Sequence, residues 1–370
     1  MAYGTVQADV IGTSVANTSL GAGNASIMKN RIINGAMVIS QYNGTSSVSV
    51  ATSTTYTMDR WRYTVSQSSK LTTQQSSTAP TGFNNSLLAT SSAATSLGAG
   101  DYFLFNQWIE GFNTADLGWG TASAKTVILS FQVYSSLTGT FGGSFTNSTQ
   151  DRSYPFSYSI PVANTWTTIS VTVAGDTTGT WIGATNGRGI GVWFSLGTGT
   201  TYSATAGSWA AGSYYAPTGA TSVVGTNGAT FYITGVQLEV GSSATGFEYV
   251  NYQTSLANCQ RYLPIVTGGA GSQPFALGMC YSTTAAVVNY TFKVTPRTRP
   301  TGITVVNAGF FSCNQANTGG TACTGIVFSD ASLDQAQIGM TGMAGLVAGN
   351  ATLAFNNTIG GQIIFTGCEL

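Results

Sequence analysis

Val127-Ile128-Leu129-Ser130-Phe131-Gln132-Val133 puts Val127, Leu129, Phe131 and Val133 on one side of an extended chain. A period of two with one apolar side is the pattern of a half-buried antiparallel strand. The pattern repeats along the chain. In Thr168–Val173, Ile169, Val171 and Val173 share a face with hydroxyls opposite, and in Ile190–Leu196 the apolar set is Ile190, Val192, Phe194 and Leu196. In Phe231–Val240 the phase changes partway: Phe231 and Ile233 have one parity, Val236, Leu238 and Val240 the other. A β-bulge is expected at Gly235, where glycine tolerates the backbone a bulge needs.

Helical signals are scarce. Thr254–Tyr262 is long enough for two turns, with Thr254 as cap and Pro264 as stop, and a short turn is expected near Asn24–Lys29. Beyond Pro264 and Gly268-Gly269-Ala270-Gly271 the alternation resumes at Val288, Tyr290, Phe292 and Val294, with further strands expected at Gly302–Val306, Gly325–Phe328, Ala351–Phe355 and Gln362–Thr366. The reading is an all-β protein in three parts. Residues 1–30 form an N-terminal arm, 31–262 an antiparallel β-sandwich, and 263–370 a second, smaller β-sandwich.

Composition excludes several classes of function. The 370 residues carry 12 basic and 12 acidic side chains, 6% charged in all, against about 25% in an ordinary globular domain. Zero net charge argues against nucleic acid, whose phosphates need Lys and Arg. The absence of histidine removes Ser-His-Asp and Cys-His nucleophiles and His-ligated zinc. No apolar run approaches the ~18 residues of a membrane span. Residues Met1–Thr5 show neither a basic nor an apolar leader segment, which points to a chain made and folded in a cytoplasm. A neutral surface rich in Ser, Thr, Gly and Asn suits subunit packing, where unpaired buried charge is costly, so an obligate oligomer is expected.

Five cysteines, Cys259, Cys280, Cys313, Cys323 and Cys368, lie in the last third of the chain without a Cys-x-x-Cys pair. They read as buried reduced thiols, with a Cys313–Cys323 disulfide as the sharper alternative and metal ligation behind both. No metal site or cofactor is expected.

For catalysis, the acid pairs Glu110 with Asp116 and Glu239 with Glu248 carry no recognisable glycosidase motif and read as solvated or capping carboxylates. Leu97-Gly98-Ala99-Gly100-Asp101 lacks the Lys and following helix of a phosphate loop. No catalytic residue is assigned. In Asp59-Arg60-Trp61 the indole is expected in the core and Asp59 paired with Arg60 or Arg62 at the rim. The candidates for ligand contact are aromatics in polar loops: Trp108, Trp119, Trp181, Trp209, Tyr214 and Tyr215. Aromatic faces stack on sugar C–H faces while short polar groups bond the hydroxyls. The competing role for each is ordinary core packing.

Several segments together resemble bacteriophage tail-fibre proteins. They are Leu20–Gln41, with its core Asn30-Arg31-Ile32-Ile33-Asn34-Gly35, then Tyr56–Trp61, Phe231–Gly241, Ala244–Glu248 and Cys259-Gln260-Arg261-Tyr262. Ser40 and Tyr42 depart from the pattern, which more often has an acid and an Arg there, and residues 265–370 match more loosely. The resemblance implies a virion appendage with a carbohydrate-binding-like jelly roll. It would be a non-enzymatic homotrimeric adhesin that holds another virion protein through its arm and binds host-surface polysaccharide. Head fibres and capsid decoration proteins share such modules and stand as the alternative. A secreted lectin-like module and a glycan-degrading enzyme stand behind them.

Overall fold

The alternation at Val127 belongs to a strand of nine residues, Val127–Ser135, whose odd-numbered side chains enter a core shared by two sheets. The computed structural model describes residues 28–52, 55–315 and 321–370. The arm expected over residues 1–30 lies outside the described residues up to position 27, as does most of the turn expected at Asn24–Lys29. The chain divides between Tyr252 and Gln253 into two units.

The first unit contains β1 (Val48–Ser49), β2 (Thr55–Met58), β3 (Trp61–Val65), β4 (Leu71–Ser76), β5 (Ser86–Ser91), β6 (Tyr102–Glu110), β7 (Val127–Ser135) and β8 (Gly139–Thr146). It continues with β9 (Arg152–Ile160), β10 (Thr167–Val173), β11 (Arg188–Thr198), β12 (Ser203–Ala204), β13 (Ala210–Ala211), β14 (Ala216–Pro217) and β15 (Thr230–Val240). Six strands form one sheet in the order β1-β4-β5-β15-β7-β10, and seven form the other, β13-β9-β8-β11-β6-β3-β2. All pairings within these two sheets are antiparallel, which makes the unit a jelly-roll-like β-sandwich. Phe105 and Phe194 stack at 5.0 Å between ring centroids, and Phe131 meets Phe194 edge-on at 5.2 Å, so aromatic pairs fill the space between the sheets.

The phase change in β15 is a bulge. Pairing with β7 slips between Thr234 and Gln237, and Gly235 has φ of +63°. A Cβ there would lie 2.7 Å from the Phe83 ring as well as straining the backbone.

Four of the segments that carry the tail-fibre resemblance, those within the first unit, are hydrogen-bonded together through residues 29–41. Asn30 reaches Val236 O and receives the Leu238 amide, and the Val236 amide donates to Gly35 O. The Asn34 side chain bonds Ile39 in both directions and Asp59 O, while the Trp61 indole donates to Asn34 O. A Cβ on Gly35 would sit 2.1 Å from Val236 O, so only glycine lets this strap lie against β15. Trp61 is core, as expected. Asp59 is not at the rim: it is fully buried and accepts from the Gln41 amide at 2.6 Å and the Gln41 side chain at 2.5 Å. Burial raises its pKa against the opposing pull of these bonds.

The second unit contains β16 (Ile265–Thr267), β17 (Gln273–Cys280), β18 (Ala285–Thr291), β19 (Gly302–Val306), β20 (Phe311–Asn314), β21 (Gly325–Ala331), β22 (Gln335–Thr341), β23 (Ala351–Asn356) and β24 (Gln362–Thr366). They form a three-stranded sheet, β16-β24-β19, and a six-stranded sheet, β20-β23-β17-β18-β22-β21. Residues of both sheets, among them Val288, Tyr290, Ile338, Ile363 and Phe365, meet in one core. Helix α1 (Tyr252–Gln260) begins two residues before Thr254, so that threonine lies in the first turn rather than capping it. All five cysteines are free and buried, which settles the Cys313–Cys323 alternative in favour of thiols.

Candidate functional site

The seven-stranded sheet keeps one face in the core and turns the other outward, and period two decides which side chains go where. Phe103, Phe105 and Ile109 of β6 join the core, so Asn106 and Trp108 point the other way. Val192 and Phe194 of β11 are core, so Trp193 is outward; Trp61 and Tyr63 of β3 are core, so Arg62 and Thr64 are outward. Register then aligns them. Arg62 pairs with Asn106, Asn106 with Trp193, and Trp193 with Ser144 of β8.

The result is a connected row of rings and cations. The Arg62 guanidinium lies 5.8 Å from the Trp193 ring centroid, and Arg188 lies 5.2 Å from that of Trp108. Trp108 meets Trp193 edge-on at 5.6 Å. Tyr215 packs on Trp193 at 4.7 Å, Tyr202 on Tyr215 at 5.7 Å, and Tyr102 on Tyr202 at 5.3 Å. Tyr202 and Tyr215 come from a loop closed by the β12–β14 pair and by the Tyr215 amide donating to Tyr202 O. The two indoles are the floor, each under 3% exposed, while Arg188, Tyr202 and Tyr215 are half-buried around them.

This face also carries unspent polar capacity. Thr64 Oγ1, Asn106 Nδ2 and Trp108 Nε1 are buried without a hydrogen-bond partner. Native structures rarely leave such groups unpaired. The Arg62 side chain donates its Nε–H to Asn106 Oδ1 at 3.3 Å, and that is its one side-chain hydrogen bond among the described residues. Burial lowers the pKa of Arg188, the nearby charge of Arg62 lowers it further, and Tyr56 opposes both.

The six aromatics singled out from the sequence separate into three places. Trp108 and Tyr215 belong to this face, joined by Trp193. Trp119, Trp181 and Trp209 form a mutually edge-on triad at the side of the sandwich, with centroids 4.8 to 5.3 Å apart. Their indole N–H groups are taken up by Lys125 O, by Thr178 O with Asp176, and by Ala174 O. The recess beside Trp119 and Trp181 has a volume of about 60 Å³, close to that of two water molecules in the liquid. Tyr214 stands apart, its amide bonded to Ser153 Oγ and its ring against Gly212. Arg62, Asn106, Arg188 and Trp193 were missed. For Arg62, Asn106 and Trp193 a signal was there: each sits on a strand at the parity opposite the core set, whereas Arg188 shares the parity of Ile190 and Val192 and reaches this face only through the β-bulge between Arg188 and Ile190.

The acid pairs have structural partners. Asp116 forms a bidentate pair with Arg31, and Glu239 accepts from Thr245 twice and from Gln237. Glu248 accepts from the Asn30 amide.

No family model and no curated protein matches the sequence. Solved structures match it distantly. One is the enzymatically active domain of tailspike protein 4 from bacteriophage CBA120, at 14% identity and a TM-score of 0.32 over 58% of this chain and 22% of that one. A putative sugar-binding protein from Bacteroides thetaiotaomicron matches at 12% identity and a TM-score of 0.33, over 57% of this chain and all of its own. A family 11 carbohydrate-binding module from Clostridium thermocellum matches at 10% and 0.27, over 55% of this chain and all of its own. The chain thus spans about a fifth of the tailspike domain and the whole of each module. The reading of the first unit's outer face rests on the geometry above.

Proposed function

We propose that this chain is a bacteriophage virion appendage, a tail fibre that binds a glycan on the host surface through the first unit. The observation that carries the binding part is the half-buried Tyr202–Tyr215 pair, seated on the buried Trp108–Trp193 floor, with unpaired polar atoms beside it. Aromatic faces and a few convergent hydrogen-bonding groups are what a sugar ring requires. The virion part is supported by the sequence segments that resemble tail fibres, of which those in the first unit are joined by hydrogen bonds through the strap around Asn30–Gln41. The chain acts as a non-enzymatic adhesin.

The adhesin works as an oligomer, a homotrimer by the same resemblance. The outward face of the six-stranded sheet in the second unit supports self-association. Leu277, Met279, Val327 and Leu353 are exposed there, and their cross-strand partners, such as Asn289, Val287 and Gly339, are uncharged. Several copies turn a weak single-site affinity into tight attachment.

Immunogold labelling of intact virions with an antibody to the chain tests the assignment. Gold along the fibres or at the tail tip is the expected result. Gold on the head would transfer the chain to the head-fibre or decoration class.

A further inference from the structure

We infer that Arg62 and Arg188 together form a subsite for the carboxylate of an acidic sugar. This rests on the glycan-binding reading and narrows it to anionic glycans.

Two guanidiniums share one face of the sheet, each laid over an indole of the edge-on Trp108–Trp193 pair. Neither forms an ion pair with a carboxylate among the described residues. Glu110 is opposite Arg188 in the β6–β11 register, yet no hydrogen bond or ion pair joins their side chains. The Arg188 guanidinium makes no hydrogen bond to a described residue, and the Nη groups of Arg62 make none. Arg62 is more than nine-tenths buried and Arg188 is half-buried, so their charges are only partly screened by water. Like charges held close and desolvated oppose one another. A neutral sugar would leave that repulsion in place. A carboxylate relieves it and takes the free N–H groups as paired, charge-assisted donors. Asn106 Nδ2, buried and unpaired beside Arg62, adds a neutral donor. Tyr215 on Trp193 offers a ring to the sugar itself.

The test is a titration of the full chain with trigalacturonate, its methyl ester and inorganic sulfate, read by tryptophan fluorescence and calorimetry. The expected result is that the acid binds at least ~10-fold more tightly than the ester, the scale of one charge-assisted hydrogen bond. Arg188→Gln should abolish that preference while circular dichroism stays unchanged. Arg62→Gln should do the same if it folds; Arg188, at the rim, keeps the test valid if it does not. Equal binding of acid and ester overturns the carboxylate subsite and leaves glycan binding standing. Binding of sulfate alone points to a free-anion site and overturns the sugar assignment. No response to any of the three overturns the acidic-sugar subsite, and the glycan reading of this face is then decided separately by binding to an array of surface glycans.

Discussion

Trp108 stands edge-on to Trp193 at an interplanar angle of 85°, although the two are diagonal rather than direct neighbours across β6 and β11. The direct partner of Trp108 is Gly191, and a Cβ there would lie 2.6 Å from Trp193 Nε1 and 2.9 Å from Trp108 Cζ3. The two indoles close over a space that only glycine leaves. Trp193 Nε1 is then fixed by Thr146 Oγ1 at 2.7 Å.

Gly191→Ala should therefore separate the indoles. Overpacking of this kind costs about 1–3 kcal/mol. Denaturant unfolding should show that loss, and near-ultraviolet circular dichroism should lose the coupled tryptophan signal. A variant with wild-type stability and spectrum would show that the packing is not as tight as described.

Trp193→Ala should be more costly, about 3–5 kcal/mol for a buried aromatic. Tyr215→Ala, at the half-buried rim, should stay within about 1 kcal/mol of wild type on the ordinary scale for point substitutions. Melting curves of the two variants side by side check the order.

The ion pair of Arg152 and Asp176 should shape the acid limb of stability. Two bonds of 2.8 Å join them, and Thr178 donates to the same carboxylate. Burial alone would raise the pKa of Asp176, but the Arg152 and Thr178 bonds hold it below its ordinary value of 3.8. A carboxyl depressed in the folded state contributes stability above its unfolded pKa, and that contribution is lost as pH falls through the folded value. Asp176→Asn should cost about 1.5–3 kcal/mol at pH 7, the range for hydrogen bonds to a charged group. It should also flatten the fall in stability below about pH 4. An unchanged acid limb would remove Asp176 from that account.

The thiols should be inert in the native chain. Burial pushes Cys313 to about 11, Cys323 to about 12 and Cys368 to about 11, so few thiolates exist at pH 8. A thiol reagent at pH 8 should react slowly with native protein and count five thiols in denaturant. Three in denaturant would mean that one disulfide had formed.

Strand alternation was legible in the sequence because burial on one face imposes it directly. The β15 bulge was legible for the same reason: a phase change needs an extra residue, and Gly235 was there to supply it. Asp59 was misplaced because its partner, the Gln41 amide, comes from a strap that no local pattern predicts. The candidate site was half legible. Loop aromatics drew attention to Trp119, Trp181 and Trp209, whose N–H groups are spent inside the protein. Arg62, Asn106 and Trp193 are far apart in sequence and meet only through strand register, which alternation does not specify.

Binding of the purified chain to an array of bacterial surface glycans tests the central claim most directly. The account predicts a restricted set of bound glycans, with binding lost in a folded Tyr215→Ala variant. A folded chain that binds no glycan, or whose binding is untouched by Tyr215→Ala, would contradict it.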